Sequence, residues 1–551
     1  MLLTVNITDK TLGLKHLFQD LSLTVSEKEK VAIIGRNGVG KTTLFNMLSG
    51  EDDHYKGEVQ RRKGMSLMAT AQEHHVDDKL ATIDYITGGL PEYQDLHRIV
   101  ESYPETMGSD ERKIHHYSEA LERFTELGYF EVENEIEREM DAYQLPKAVL
   151  RRPFMQLSGG QKRFVELIKV AVARADLALV DEPTNHMDTE AKQAFIAWMK
   201  QTPMAVVVIT HDRDVLQAVD RIIEIKDKKA ISFTGNYDAY LKQNTVTTTS
   251  AVMQYEVAQR TLEKLKQQIL AARAKKVNGS SDTAGKFRIM EERLQRQYDQ
   301  LAAQSQRPSF WIDQESVAQM QPKMAGKYER YKARGLRMRA DAGDRRHARI
   351  LSVRNLDIGY DHPIMRDLNI TLGPGERLRI HGRNGVGKST LLKTILHQAG
   401  VYPQTTQVFG GVIEIGEGIR IGVYEQEISG TYLNMTLGEA VIAIYHDKNV
   451  PINDQKVRKL MSDYLFHPQD DYQVKVSHLS GGQKARLQLI SMLAQQPNLL
   501  ILDEPTNHLD LPSIEELEAA LGKYDGAVLY VSHDSYFCHN IGGETLQIGA
   551  R

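Results

Sequence analysis

Cysteine is almost missing from this sequence: Cys538 stands alone among 551 residues. That excludes a disulfide framework, a cysteine-rich zinc site and an iron–sulfur cluster held within the chain. Cys538 itself reads as a small, partly buried residue. Long apolar runs are missing too. Apolar runs such as Ala205 to Ile209 and Leu499 to Leu502 have the length of buried strands, and none approaches the ~18 residues that span a bilayer. The first ten residues lack the basic-then-apolar design of an export signal. A cytoplasmic protein with no membrane domain of its own is expected.

What is present points to more than one domain, because a chain of this length exceeds a single core. Hydrophobic content of 41% and charged content of 26% are ordinary for folded proteins. The net charge of −4 is unevenly placed. Between Ala251 and Ile350 there are 21 Lys and Arg against 11 Asp and Glu, a local net of +10 that leaves −14 for the rest. A basic element held between acidic domains suits a polyanion.

The chain is written twice. Gly35-Arg36-Asn37-Gly38-Val39-Gly40-Lys41-Thr42 follows the strand-like Val31 to Ile34, and Gly382-Arg383-Asn384-Gly385-Val386-Gly387-Lys388-Ser389 follows Leu378 to Ile380. Each leads into an apolar-periodic helix opening at Thr43 or Thr390. Strand, glycine-rich loop and helix are the context a phosphate loop requires. The glycines let backbone N–H groups turn inward around phosphate oxygens, and the helix N-terminus reinforces them. Lys41 and Lys388 supply charge to the β- and γ-phosphates, while Thr42 and Ser389 suit a Mg²⁺ ion.

Downstream, each half carries an apolar strand ending in two acids, Asp181-Glu182 and Asp503-Glu504. The first carboxylate suits Mg²⁺, directly or through water; the second can polarise an attacking water. The spacing repeats: Ser158 to Asp181 and Ser480 to Asp503 are both 23 residues, and Asp181 to His211 and Asp503 to His533 are both 30. Each histidine follows a strand, at the carboxyl end where α/β ligand sites lie. A γ-phosphate contact is expected of both.

Leu157-Ser158-Gly159-Gly160-Gln161 and Leu479-Ser480-Gly481-Gly482-Gln483 resemble the ATP-binding-cassette (ABC) signature, and Gln72 and Gln426 resemble its Q-loop glutamine, a nucleotide and Mg²⁺ contact. The runs Glu182 to Asp188 and Glu504 to Asp510, each with Pro-Thr-Asn-His inside, resemble the ABC-F family. That resemblance implies an α/β fold with two phosphate-loop ATPase domains joined by a helical, coiled-coil-like linker. It implies ATP hydrolysis with Mg²⁺, and a monomer whose two cassettes pair head to tail. One composite site would join Lys41 to Ser480, and the other Lys388 to Ser158. It implies ribosome binding in the ATP-closed state, with the linker reaching toward P-site tRNA and the peptidyl-transferase centre, in translation regulation, rescue or antibiotic protection. A tandem ATPase subunit of a membrane importer is the rival; it predicts a short linker.

The expected domains are 1–243, with a helical insertion at about 85–150, a basic linker at 244–348, and 349–551. In the linker, Tyr255, Ala258, Leu262, Leu265, Ile269 and Ala272 form a seam at helical spacing, continued by Phe287, Met290, Leu294, Tyr298 and Leu301. Two turns compete for its tip, Asn278 to Ser281 and Arg307 to Pro322. Lys327, Arg330, Lys332, Arg334, Arg337 and Arg339 interleave with Tyr328 and Tyr331, a composition suited to RNA. Tyr360 sits where the family's second cassette stacks adenine, whereas the place near Leu12-Gly13 has no aromatic. The Gln-to-signature distance is 86 residues in the first half and 54 in the second, the excess falling around Tyr93 to Ala142. This insertion is an arm-like contact or an enlarged helical subdomain.

Overall fold

A computed structural model describes the chain apart from residues 14, 72–75, 107, 109, 186, 279–280, 305–311, 332–348, 426–427 and 550–551. It divides into two units, Met1–Tyr237 with Gly335–Arg551, and Asp238–Arg334.

In the first unit the two halves repeat one plan. The N-terminal half has a six-stranded sheet in the order Leu67–Ala69, Leu177–Asp181, Ala205–Ile209, Lys30–Gly35, Arg221–Lys226, Lys229–Thr234, parallel except for the final hairpin. The C-terminal half has a parallel five-stranded sheet in the order Ile421–Tyr424, Leu499–Asp503, Ala527–Val531, Arg377–His381, Glu544–Gln547. The strands Leu177–Val180 and Leu499–Leu502 are buried throughout, which is why they read as continuous apolar runs and not as alternation. Each half adds a three-stranded antiparallel sheet. The phosphate loop leaves a strand in the interior of each sheet, so its glycines, the acid pair and the histidine all emerge at the same carboxyl edge.

A helical subdomain packs beside each sheet. In the C-terminal half it holds Leu437–Asp447 and Asp454–Asp463 ahead of the signature helix Gly481–Leu493. In the N-terminal half Thr82–Gly88 and Val132–Ala142 precede the signature helix Gly159–Val172, and an extra pair, Tyr93–Thr106 and Glu111–Glu126, lies between them. That pair accounts for the longer Gln-to-signature distance. Rings of Tyr93, Phe124 and Tyr129 hold its base, with Tyr93 and Tyr129 centroids 5.1 Å apart.

The second unit is helical: Tyr237–Asn278, Ser281–Gln304, Gln314–Gln319 and Pro322–Tyr331. Its first helix opens at Tyr237, ahead of the expected boundary at 244. Leu262, Ile269, Ala272 and Leu294 of the seam are buried, but Met290 is exposed. Its neighbour Glu291 instead turns toward the first helix and pairs with Arg273 at 2.7 Å. Lys275 lies over the ring of Phe287, so the second helix runs back along the first. Further along, the Ile312 N–H donates to the Tyr328 hydroxyl, and Lys327 pairs with Glu256 at 2.6 Å. Ile312 and Tyr328 cluster with Val252, roughly 39 Å along the helix from Asn278. The far end of the hairpin is therefore where the first helix ends at Asn278 and the second begins at Ser281, residues 279–280 between them lying outside the described residues, and the described part of the Arg307 to Pro322 segment sits at its base. Residues 305–311 and most of the basic run after Tyr331 lie outside the described residues. Among the described residues no helix is long and apolar enough to cross a membrane.

Candidate nucleotide sites

Both phosphate loops end on a glycine at φ 103°, Gly40 and Gly387, each immediately before its helix. This left-handed backbone is strained for any residue with a Cβ, and at Gly40 a Cβ would also meet the Phe18 ring at 2.9 Å. Lys41 Nζ donates to the Gly35 carbonyl at 2.8 Å, and Lys388 Nζ to the Gly382 carbonyl at 2.7 Å. Burial lowers the pKa of both ammonium groups, while Glu182, Asp510 and Asp181 oppose this at Lys41 and Glu504, Asp188 and Asp503 oppose it at Lys388.

Glu182 and Glu504 sit at φ 45° and 50°, a backbone conformation that costs a non-glycine residue ~1–3 kcal/mol and clusters at functional positions. Each carboxylate faces its histidine: Glu182 Oε1 is 3.7 Å from His211 Nε2, and Glu504 Oε1 is 3.4 Å from His533 Nε2. Burial is the main reason both glutamates are pushed up to about 7, opposed at Glu182 by Lys41 and reinforced at Glu504 by Asp503. Burial also keeps the imidazoles neutral, His211 well below its usual value and His533 down at about 3. Below pH about 7 the glutamates hold a proton and cannot accept another. Turnover at saturating ATP is therefore expected to rise across pH about 6 to 8 and then level off. A flat profile over that range would remove the base role from both.

At the second phosphate loop Ser389 Oγ lies 2.8 Å from Asp503 Oδ2. Adjacent ligands of an octahedral Mg²⁺ stand about 2.9 Å apart when each bond is about 2.0–2.1 Å, so this pair fits one such ion. Among the described residues no group of three or more His, Cys, Asp or Glu could hold a metal by itself. A cation here would take its other ligands from phosphate and water. Gln72 and Gln426 lie outside the described residues.

The halves meet across these loops. A cavity of about 520 Å³ is lined by Asn37, Gly38, Gly40, Lys41, Thr42, Thr43, Asp181, Glu182 and His211 on one side and by Ser480, Gly481 and Gly482 on the other, and it extends to Glu504 and His533. Gly482 is so close to the first loop that a Cβ there would stand 2.0 Å from Asn37 Nδ2. Lys41 and Ser480 are thus brought to one cavity. At the other loop, Asn384 and Arg383 meet Asp188 and Glu190. Ser158, Gly159 and Gly160 are exposed, and apart from its chain neighbours and its own helix backbone no described residue comes within 4 Å of a Cβ built on either glycine. Both signature serines are exposed, so the two sites differ at the second glycine: Gly482 is buried against the first loop, whereas Gly160 meets no described residue of the other half.

Ser158 and Ser480 cap their helices in a reciprocal box, each hydroxyl accepting the N–H of Gln161 or Gln483 and each glutamine oxygen accepting the serine N–H. The hydroxyl's own proton stays available for a phosphate oxygen, and the two glutamines work through the cap. Tyr360 is half-exposed, its hydroxyl 3.4 Å from Thr390. Leu12 is exposed at the edge of the first cavity, so the first site has an aliphatic edge where the second has an aromatic ring.

Three further contributors have no role assigned from the sequence. Asp188 and Asp510 cap the next helix with one oxygen and with the other accept the backbone N–H of Asn384 (3.0 Å) and Asn37 (2.9 Å) in the opposite half. An Asp before a helix signals the cap, but a cap alone does not reveal a second partner. Arg163, in the first signature helix, donates to the carbonyls of Asp181 and Glu182 and so fixes the strained turn; Ala485 occupies its place in the second half. Nothing in the sequence marks that reach.

A model of the family described as ABC transporter matches residues 18–185 and again 365–507. The chain belongs to the ABC transporter family and is of the ABC-F type. It is an ATPase whose two cassettes bind ATP. The chain is 30% identical to the ABC transporter ATP-binding protein YfmR of Bacillus subtilis, covering 97% of this chain and 78% of that one. It is 28% identical to the energy-dependent translational throttle protein EttA of Mycobacterium tuberculosis (97% and 89% covered) and 27% identical to the ribosome protection protein VmlR of Bacillus subtilis (95% and 82%). An archaeal ribosome recycling factor, aABCE1, crystallised with a ribosomal stalk protein, shares the fold at a TM-score of 0.57 and 16% identity, covering 99% of this ABC-F chain and 87% of that one.

Proposed function

We propose that this ABC-F protein hydrolyses ATP at two composite sites and uses the ATP-closed state to bind ribosomes, in the cytoplasm and as a monomer. The observation that carries the reading is the cavity shared by Lys41 and Ser480, because it makes one cassette incomplete without the other. In each site the phosphate loop and its lysine hold the β- and γ-phosphates, and the opposite signature serine and glycines hold the γ-phosphate from the other side. Thr42 with Asp181, and Ser389 with Asp503, would hold Mg²⁺, together with Gln72 and Gln426. When bound, that ion supplies positive charge to the β- and γ-phosphate oxygens. Glu182 or Glu504 accepts a proton from water as its oxygen attacks the γ-phosphorus. The bond to the β-phosphate bridge breaks, and ADP leaves with its electron pair. The histidine donates from Nε2 to a γ-phosphate oxygen.

The ribosomal part of the reading rests on the relatives named a translational throttle and a ribosome protection protein, and on the net +10 linker. The linker hairpin would extend toward P-site tRNA and the peptidyl-transferase centre, in translation control, rescue or drug protection. Co-sedimentation with ribosomes should require ATP or a non-hydrolysable analogue. Replacing Arg330, Arg334, Arg337 and Arg339 with glutamate is expected to weaken binding and to lower its log–log salt slope by roughly 3, at ~0.7–0.9 for each phosphate no longer neutralised. Intrinsic ATPase should stay unchanged. Binding indifferent to nucleotide, or unaltered by the fourfold reversal, would count against the linker as the RNA contact.

A further inference from the structure

We propose that Thr189 and Lys192 of the N-terminal cassette position His533 of the C-terminal cassette, so that hydrolysis at the Lys388 site depends on a cross-cassette latch that the Lys41 site lacks.

The two sites are related by the chain's internal repeat, yet their histidines are held differently. Thr189 Oγ1 lies 3.4 Å from His533 Nδ1, and Lys192 Nζ donates to the His533 backbone carbonyl at 2.7 Å. Both come from the helix Thr189–Gln201, whose cap, Asp188, also accepts the Asn384 N–H. Counting from the matching cap, Asp510, their counterparts are Leu511 and Ile514. Neither side chain can form a hydrogen bond, and Ile514 lines the cavity that holds His211. Correspondingly, neither ring nitrogen of His211 has a hydrogen-bond partner among the described residues.

The chemistry of imidazole gives this difference a consequence. A neutral ring carries one proton, and only the protonated nitrogen can donate to phosphate. We assign the threonine hydroxyl as the donor to Nδ1, which commits the ring proton to Nε2; that nitrogen faces Glu504 and has no hydrogen bond among the described residues. Lys192 fixes the backbone that carries the ring. It is 3% exposed and stays charged, because Asp212 at 3.1 Å and Asp214 at 2.7 Å more than offset its burial. Around it the same contact is reinforced by Arg213 with Glu518 at 2.9 Å, both buried, by the Gln217 amide donating to the Tyr536 hydroxyl, and by the Ser535 hydroxyl donating to Asp214. The latch is engaged although nothing of the other half stands against Gly160, so it does not require the first signature to be docked.

This inference rests on the assignment of Glu504 and His533 to the Lys388 site, and the test separates the two. In the full-length chain, Glu182→Gln leaves only the Lys388 site to turn over, and Glu504→Gln leaves only the Lys41 site. Thr189→Val keeps the side chain's volume and removes its hydroxyl. In the Glu182→Gln background it is expected to lower kcat roughly 5- to 50-fold, the loss of one buried hydrogen bond, with little change in the KM for ATP. Lys192→Met should act in the same background, and Thr189→Ser should restore the rate. In the Glu504→Gln background the changes should stay within about 2-fold. Equal losses in both backgrounds, or no loss at the Lys388 site, would overturn the latch. Should Lys192→Met fail to fold, Thr189→Val and Thr189→Ser decide alone. If Glu504→Gln does not alter turnover at all, the site assignment fails instead.

Discussion

Changing Glu182 and Glu504 together to glutamine is expected to lower ATP turnover by about 10²–10⁴-fold while leaving ATP bound. Glutamine keeps the size and polarity of the side chain but cannot accept the proton of the attacking water. The strained turns at φ 45° and 50° are set by the backbone, by Arg163 at the first and by the N–H of Glu504 on the Val531 carbonyl at the second, so they should survive the change. Lys41, Lys388, Ser389 and Asp503 are untouched. ATP that is held and not cleaved keeps each γ-phosphate joined to the opposite signature, so the cassettes stay closed. The double variant should therefore accumulate on ribosomes with ATP and inhibit translation in a purified system. Lys41→Ala with Lys388→Ala should not, because neither loop would then hold nucleotide. Normal hydrolysis by the glutamine variant, measured as phosphate release, would refute the base assignment. An inactive variant that never accumulates on ribosomes would favour the importer reading.

Ser480→Arg is expected to abolish turnover at the Lys41 site, with a loss of about 10²–10³-fold when measured in the Glu504→Gln background. That is the scale for removing a donor aimed at developing charge. Ser480 lines the cavity beside the first loop, where an arginine would fill the space expected for the γ-phosphate; Gly482, two residues along the same helix start, already stands against Asn37, whose side chain donates to the His508 carbonyl at 2.9 Å. An arginine at 480 would also break the capping box that orients the first turn of the helix. Ser158→Arg is the counterpart for the Lys388 site. Because Ser158 is exposed, that variant should fold normally and fail only when the second site tries to close. Its defect should appear in kcat in the Glu182→Gln background, with a stability cost of only about 0.5–2 kcal/mol from the lost helix cap. Full activity of Ser480→Arg in the Glu504→Gln background would break the composite-site reading.

Much of this molecule is local, and local features were legible. A phosphate loop works through consecutive backbone N–H groups, so its glycines, lysine and hydroxyl must be contiguous. The acid pair must end a buried strand, so it follows an apolar run. Repetition at identical spacings then tied each half together, and the ends of Leu177–Asp181 and Leu499–Asp503 fell where the apolar runs stop. The linker seam was legible for the same reason, since helical spacing shows which face is apolar. It failed at Met290, where the pairing of Arg273 with Glu291 decided the rotation of the second helix.

What the tertiary structure alone decided is how residues hundreds of positions apart meet. Asn278 to Ser281 and Arg307 to Pro322 both read as turns, and only the ion pairs along the helices show which one lies at the far end. The reach of Asp510 to Asn37, of Arg163 to the carbonyls beside Glu182, and of Thr189 and Lys192 to His533 leaves no periodic trace. A side chain's type states what it can bond, but its partner is set by where the two cassettes meet. The repeat made the two ATP sites look alike in sequence; packing a threonine and a lysine against one histidine, with a leucine and an isoleucine at the matching positions of the other half, made them different.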